Sequence, residues 1–346
     1  MFKKILNFLF NVIILACLIG IIYYFYTSNN SASLLKNGSL SYLEDNTIEN
    51  VNSDDNAISY YNLYYYNQLD DNAKIIYSAL YNNVEHLKED NFEINFSTKF
   101  NDLLNKSNGK SSLDSSFQSA LDAFFYDHPD LFYLDISKMS LLTNSVSFLG
   151  KTTYKVSIKP SNGINYLSDG FSSKAQVELA IQEVENLKNK IISNISGNDY
   201  NKALIIHDTL VDLIEYDKSV SRKNTYNIYG ALVEHNVVCE GYAKTFKYLM
   251  DSLDIPCILV SGLATNSTGK TEAHMWNYIQ LDGNWYGVDL TWDDPIIIGG
   301  HSKNTIRRTY FCKGINAFYD SHCPDSKFSS GGMSFNYPNL SQKNYK

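Results

Sequence analysis

The chain has 346 residues, enough for one large domain or two ordinary ones around a sizeable core. Its formal net charge of −8 argues against general binding to a phosphate backbone, which needs a basic face, so no nucleic-acid partner is expected. Five cysteines in this length are too sparse for a disulfide framework.

Lys3 and Lys4 precede residues 5–26, an apolar run interrupted clearly only by Asn7 and Asn11. A helix of about 20 residues crosses a bilayer core, whereas a secretory signal has an apolar region of about 7–15. Lysines before the run and none just after it put the N-terminus inside. The expectation is a transmembrane signal anchor over 1–27, single-pass, with the rest of the chain outside the cytoplasm. Two alternatives also export the chain. Ile14-Leu15-Ala16-Cys17 resembles a lipoprotein cleavage box, and Ser31-Ala32-Ser33 offers a cleavage site for a secreted form.

Residues 28–57, rich in Ser and Asn, read as a polar linker. A mixed, mostly helical region is expected over 58–170, with helices at 70–87 and 113–126 and strands at 92–96, 131–134 and 153–158. From 171 to 330 the pattern becomes denser. Helices are expected at 173–195, 199–216, 227–234 and 242–253, the last stopping before Pro256. Strands follow at 257–263, 273–281, 284–292 and 308–312, and 331–346 reads as a polar tail. Helices first and then an antiparallel sheet make the class α+β, without alternating βα units.

Cys239 stands at the start of the 242–253 helix, where free N–H groups and partial positive charge favour a thiolate. Taken alone, a buried inert cysteine accounts for it better. The hairpin changes this. A two-residue turn at Asp282-Gly283 pairs Leu281 with Asn284, and counting outward sets Trp276 opposite Asp289 and His274 opposite Thr291. His274 and Asp289 then share one face as diagonal neighbours, so an aspartate can orient the imidazole. A three-residue loop would put Asp289 on the other face. Nucleophile, general base and orienter are thus all available.

These residues resemble a known family. VVCEGYAKTF and AHMWNYIQLDGNWYGVDLTWDDP are similar to the core of the transglutaminase-like superfamily, which has a cysteine at a helix start, His-x-Trp-Asn on one strand and Asp-x-Thr-Trp on the next. The match is strong over about 227–295. Residues 126–132, Tyr-Asp-His-Pro-Asp-Leu-Phe, also resemble a segment of exported bacterial members. The resemblance implies a papain-like core with the cysteine helix packed on an antiparallel sheet. It implies that His274 takes the proton of Cys239, that the thiolate attacks an amide carbonyl, and that water or an amine resolves the thioester. It places the Cys239 N–H in the oxyanion hole, with Tyr229 as candidate second donor and Gly241 and Trp276 as further candidates for oxyanion or substrate contact. The expected partner is a protein or peptide, such as a cell-surface or cell-wall peptide. The rival expectation is a domain that keeps this fold but only binds peptides or scaffolds a surface complex.

Other signals carry less. Residues 264–271 approach a phosphate-binding loop but lead into a strand, so they read as a turn. Asp293-Asp294 reads as solvent-facing. His235, Cys239 and His274 lack a compact metal-ligand spacing, and no metal or cofactor is expected. His301 and His322 lie in the C-terminal part, and Cys312 and Cys323 are an open pairing in an oxidising space.

Overall fold

A computed structural model describes residues 63–294 and 307–346. The expected membrane segment at 5–26, the linker at 28–57 and His301 lie outside them. Among the described residues, no helix is long and apolar enough to cross a membrane.

The chain first builds a helical corner. Helix α1, Asp71–Asn82, starts at Asp70, whose carboxylate accepts the Ala73 N–H at 2.8 Å. It buries Ala73, Ile76, Tyr77 and Leu80 against the long helix α3, Gly109–Asp127, with the short α2, Asn101–Leu104, between them in sequence. The end of α3 explains the Tyr126–Phe132 segment. Asp127 is buried and accepts the backbone N–H groups of Tyr65 and Tyr66 at 3.0 and 2.9 Å and the Tyr77 hydroxyl at 3.1 Å. Pro129 then turns the chain, so residues 131–134 are a 3-10 turn and a single bridge from Leu134 to Leu167, where a strand was expected.

The region also carries a sheet of order β1-β3-β2, made of Ile94–Ser97, Lys151–Pro160 and Met139–Phe148. The expectation of a mostly helical region missed β2. Its residues are largely exposed and mostly polar beyond Leu142, so no buried face marks it as a strand.

The second half holds α4, Lys174–Ile192, and α5, Asp199–Leu213. Strand β4, Glu215–Tyr216, pairs in parallel with β5, Asn236–Val237, with the short α6, Ile228–Leu232, in the connection. Helix α7, Cys239–Asp251, follows β5 and packs on a four-stranded antiparallel sheet of order β8-β7-β6-β9. These strands are Asn284–Val288, Thr271–Leu281, Cys257–Thr265 and His322–Pro324. The 266–270 segment is a turn closed by Asn266, whose side chain accepts the N–H groups of Thr268 and Lys270, both at 3.0 Å. Phe246, Leu249 and Met250 from α7 meet Ile258, Trp276 and Ile279 in an apolar core that continues into the helical corner, and the Tyr65 hydroxyl donates to the Leu259 carbonyl.

Two expected strands differ. Strand β8 ends at Val288, because Asp289 caps the short helix α8, Leu290–Asp293, by accepting the Trp292 N–H at 3.2 Å. Residues 308–312 are irregular; the Tyr310 carbonyl accepts the Asp289 N–H at 3.2 Å, and Lys313 just after them bridges to Gly287 on β8. Helix α9, Ile315–Phe318, then leads into β9.

Candidate active site

The nucleophile candidate is placed by the turn from β5 into α7. Val238 at the N-cap offers no side-chain acceptor to the first turn of the helix, so its leading N–H groups stay open. The helix start lies tight on β5. A Cβ on Gly241 would stand 2.4 Å from Cβ of Val237, so glycine is needed there for close packing. Cys239 is half-buried, whereas Cys257 and Cys312 are buried and Cys323 is exposed; all four are free thiols. No Cys312–Cys323 bridge is present.

The hairpin has the register counted from its turn, Leu281 with Asn284 out to Asn277 with Val288. His274 lies beyond the last pair on β7, and Asp289 is the residue that follows β8. Nε2 of His274 is 2.8 Å from Oδ2 of Asp289, with both side chains almost fully buried. This leaves Nδ1 as the ring nitrogen not engaged by Asp289, and Cys239 acts on the same imidazole to favour its protonated form. Burial alone would lower the His274 pKa. The Asp289 carboxylate, and then the sulfur, outweigh it and hold the value up at about 10. Burial acts on Asp289 in the opposite direction to its neighbours, and the two histidines at its oxygens hold it below the usual carboxylate range.

The second of those histidines is His322, which sequence patterns did not single out. Its Nε2 is 3.0 Å from the same Oδ2, and its side chain is fully buried. The ring stacks on Phe318 at 4.1 Å and meets Trp276 edge-on at 4.9 Å. Three nitrogen and oxygen donors of this kind can hold a metal ion, but contacts of 2.8 and 3.0 Å are hydrogen-bond lengths, and protons between the atoms account for their convergence.

The remaining candidates occupy other places. The Tyr229 hydroxyl donates to Glu183 on α4 at 2.8 Å, and its ring packs with Phe132 and Phe171. That hydroxyl is therefore engaged away from the cysteine helix. Trp276 is fully buried and forms a wall of the histidine pair, so it cannot touch a substrate. Tyr216 has a better address. It pairs with Val237, two residues before the cysteine, and burial followed by charge at Cys239 pushes its hydroxyl up to about 12. Only a Tyr-Asp pair in a short segment marks it in the sequence.

Asp293 and Asp294 are fully buried, against the expectation that they face solvent. Asp293 sits 3.1 Å from Nε2 of His207 and accepts the Tyr310 N–H, and Asp294 accepts the Tyr242 hydroxyl at 2.7 Å. A cavity of about 520 Å³ is lined by Glu240, the residue after the cysteine, together with Phe132, Asp135, Arg222, Tyr226 and Lys244, while Cys239, His274 and Asp289 do not line it.

Residues 185–290 match the family model described as the transglutaminase-like superfamily. Kyphoscoliosis peptidase of Mus musculus is 25% identical over 154 residues, covering 40% of this chain and 23% of that protein. The Homo sapiens protein of the same name is 28% identical over 126 residues, covering 33% and 19%. The chain thus spans about a quarter or less of the length of these relatives. Among solved structures, one titled as a TGase aligns with a TM-score of 0.30 at 12% identity, over 50% of this chain and 48% of that one. By the family match, residues 185–290, which contain Cys239, His274 and Asp289, form a domain of the transglutaminase-like superfamily.

Proposed function

We propose that the chain is a thiol acyltransferase or peptidase acting on amide bonds of proteins or peptides. The observation that carries this reading is the His274–Asp289 pair, which leaves one imidazole nitrogen for the sulfur at the start of α7. His274 takes the Cys239 proton, and the sulfur attacks the amide carbon. The negative charge that develops on the carbonyl oxygen is met by the Cys239 N–H, and the Tyr216 hydroxyl is the second donor. His274 returns the proton to the leaving nitrogen as the C–N bond breaks, giving a thioester and a free amine. Water or a second amine, deprotonated by His274, then attacks the thioester and releases the thiol. The cavity lined by Glu240 receives the peptide. The apolar run at 5–26 anchors the enzyme with this face outside a bacterial cell, which makes surface proteins and cell-wall peptides its substrates.

The test combines the purified chain with denatured casein and a fluorescent primary amine. Amine incorporation lost in Cys239→Ala identifies a transferase, and cleavage lost in the same variant identifies a peptidase. Neither reaction, together with Cys239 alkylation no faster than that of an ordinary thiol, would overturn the reading in favour of a binding domain.

A further inference from the structure

We propose that His322 is a positioning residue of this same site: as a second N–H donor to Asp289 Oδ2, it moderates the hold of that carboxylate on the His274 proton. The proposal rests on the thiol-enzyme reading above. Its basis is a chain of contacts. Oγ of Ser321 lies 2.8 Å from Nδ1 of His322, and Nε2 of His322 lies 3.0 Å from the oxygen that His274 also uses. The Ser321 hydroxyl also reaches the Phe318 carbonyl, at a long 3.4 Å, and interacts with the Tyr310 hydroxyl. A hydroxyl donating to Nδ1 fixes the His322 proton on Nε2, where it points at Asp289. Oδ1 of Asp289 is occupied by the Trp292 N–H, so His274 and His322 share Oδ2.

Packing alone does not account for a histidine here. The ring lies among Phe318, Trp276, Trp292 and Tyr310, at centroid distances from 4.1 to 5.4 Å. A phenylalanine would fill that cage, but only an imidazole supplies the N–H. The strand that brings it is held closely. Ala264 pairs with His322, and a Cβ on Gly262 would stand 2.2 Å from the Cys323 carbonyl oxygen. A donor to a carboxylate stabilises its anion and makes it a weaker base. Asp289 therefore grips the His274 proton less tightly with His322 present than without it. The titratable groups facing this assembly are Cys239 from α7, Asp293 from α8 and Tyr310 from the segment after it.

Iodoacetate provides the test, because its anion is drawn to a thiolate only while His274 beside it is cationic. In the full chain the rate at Cys239, read on that peptide by mass spectrometry, is expected to be bell-shaped in pH. In His322→Phe the basic limb, which reports loss of the imidazolium, moves up by about half a pH unit or more. In His322→Gln, whose side-chain N–H reaches the Nε2 position, the limb returns toward that of the wild type. A lower rate at every pH with unmoved limbs would make His322 a packing residue and overturn the proposal, as would a downward shift. If His322→Phe does not fold, nitrogen NMR of the wild-type histidines decides. A ring carrying its proton on Nε2 is expected, and a ring protonated on Nδ1 alone, which has no N–H for Asp289, would overturn it. A wild-type profile that only rises with pH would instead sink the thiol-enzyme reading, and this proposal with it.

Discussion

Two histidine–aspartate pairs flank one short helix, and their second partners differ. Asp289 caps α8 and meets His274 at 2.8 Å; Asp293 ends α8 and meets His207 at 3.1 Å. Both imidazoles are buried, and in both the pKa is raised because carboxylates outweigh the opposing effect of burial. Burial and a perturbed pKa therefore do not tell them apart. The other nitrogen does. In His207, Nδ1 is 3.0 Å from Asp208, which Arg308 holds in turn, so neither nitrogen is left to accept a proton. His207 is a clamp that ties α5 to α8 and to the segment around Tyr310. In His274 the second nitrogen is engaged by no carboxylate among the described residues, and Cys239 adds to the upward shift of the same imidazole, an arrangement that supports chemistry.

Breaking each pair should produce opposite signatures. His274→Ala is expected to slow iodoacetamide labelling of Cys239 at pH 6–7 by about 30–300-fold, the difference between a full thiolate and an ordinary thiol with a pKa of about 8.5. His207→Ala should leave the labelling rate of the folded protein within a few-fold. It should cost about 3–5 kcal/mol in denaturant unfolding, because Asp293 and the inner face of Asp208 lose their buried partner. If His207→Ala abolished labelling without destabilising the chain, the distinction between clamp and base would fail.

What the sequence could reveal follows the same division between local and distant causes. The Asp282-Gly283 turn specifies a register, and that register brings His274 near Asp289. The amphipathic helix after Cys239 is equally local. Asp289 lies one step past the strand that the pattern predicts to contain it, because an aspartate there is also a good helix cap, and the capping bond to Trp292 stops β8 at Val288. His322 was illegible for a different reason. It lies on a three-residue strand without periodicity, and it reaches Asp289 only through pairing with β6. Tyr229 stands before the cysteine helix, where a second oxyanion donor is expected, yet its hydroxyl donates to Glu183 on a neighbouring helix.

Turnover separates the two tyrosines. Tyr216→Phe should lower turnover about a hundred- to a thousand-fold with KM nearly unchanged, as loss of one donor to a developing oxyanion does. Tyr229→Phe, which loses a partly exposed bond to Glu183, should leave turnover within about two-fold and stability within about 1 kcal/mol. Steady-state kinetics on the casein reaction reads both.

The smallest effect is in the pH dependence of stability, and it sharpens the comparison most. His274 is raised from an ordinary value of about 6.5 to about 10 in the folded chain. A raised value means that the folded state binds the proton more tightly. The stabilisation is complete below about pH 6.5 and is lost as pH rises toward about 10. His207 is raised as well and acts with the same sign. In Cys239→Ser, where the hydroxyl keeps its proton and Asp289 still supports His274, each pH unit in this window removes at most about 1.4 kcal/mol through His274, or about 2 kcal/mol between pH 7 and 8.5. In the wild type a proton passed from sulfur to imidazole changes no proton count, so its stability curve should be flatter over that interval than that of Cys239→Ser. His274→Gln should remove the difference between the two and leave only the slope that His207 supplies. Equal slopes in wild type and Cys239→Ser would mean that the sulfur keeps its proton, and His274 would then be a second clamp like His207.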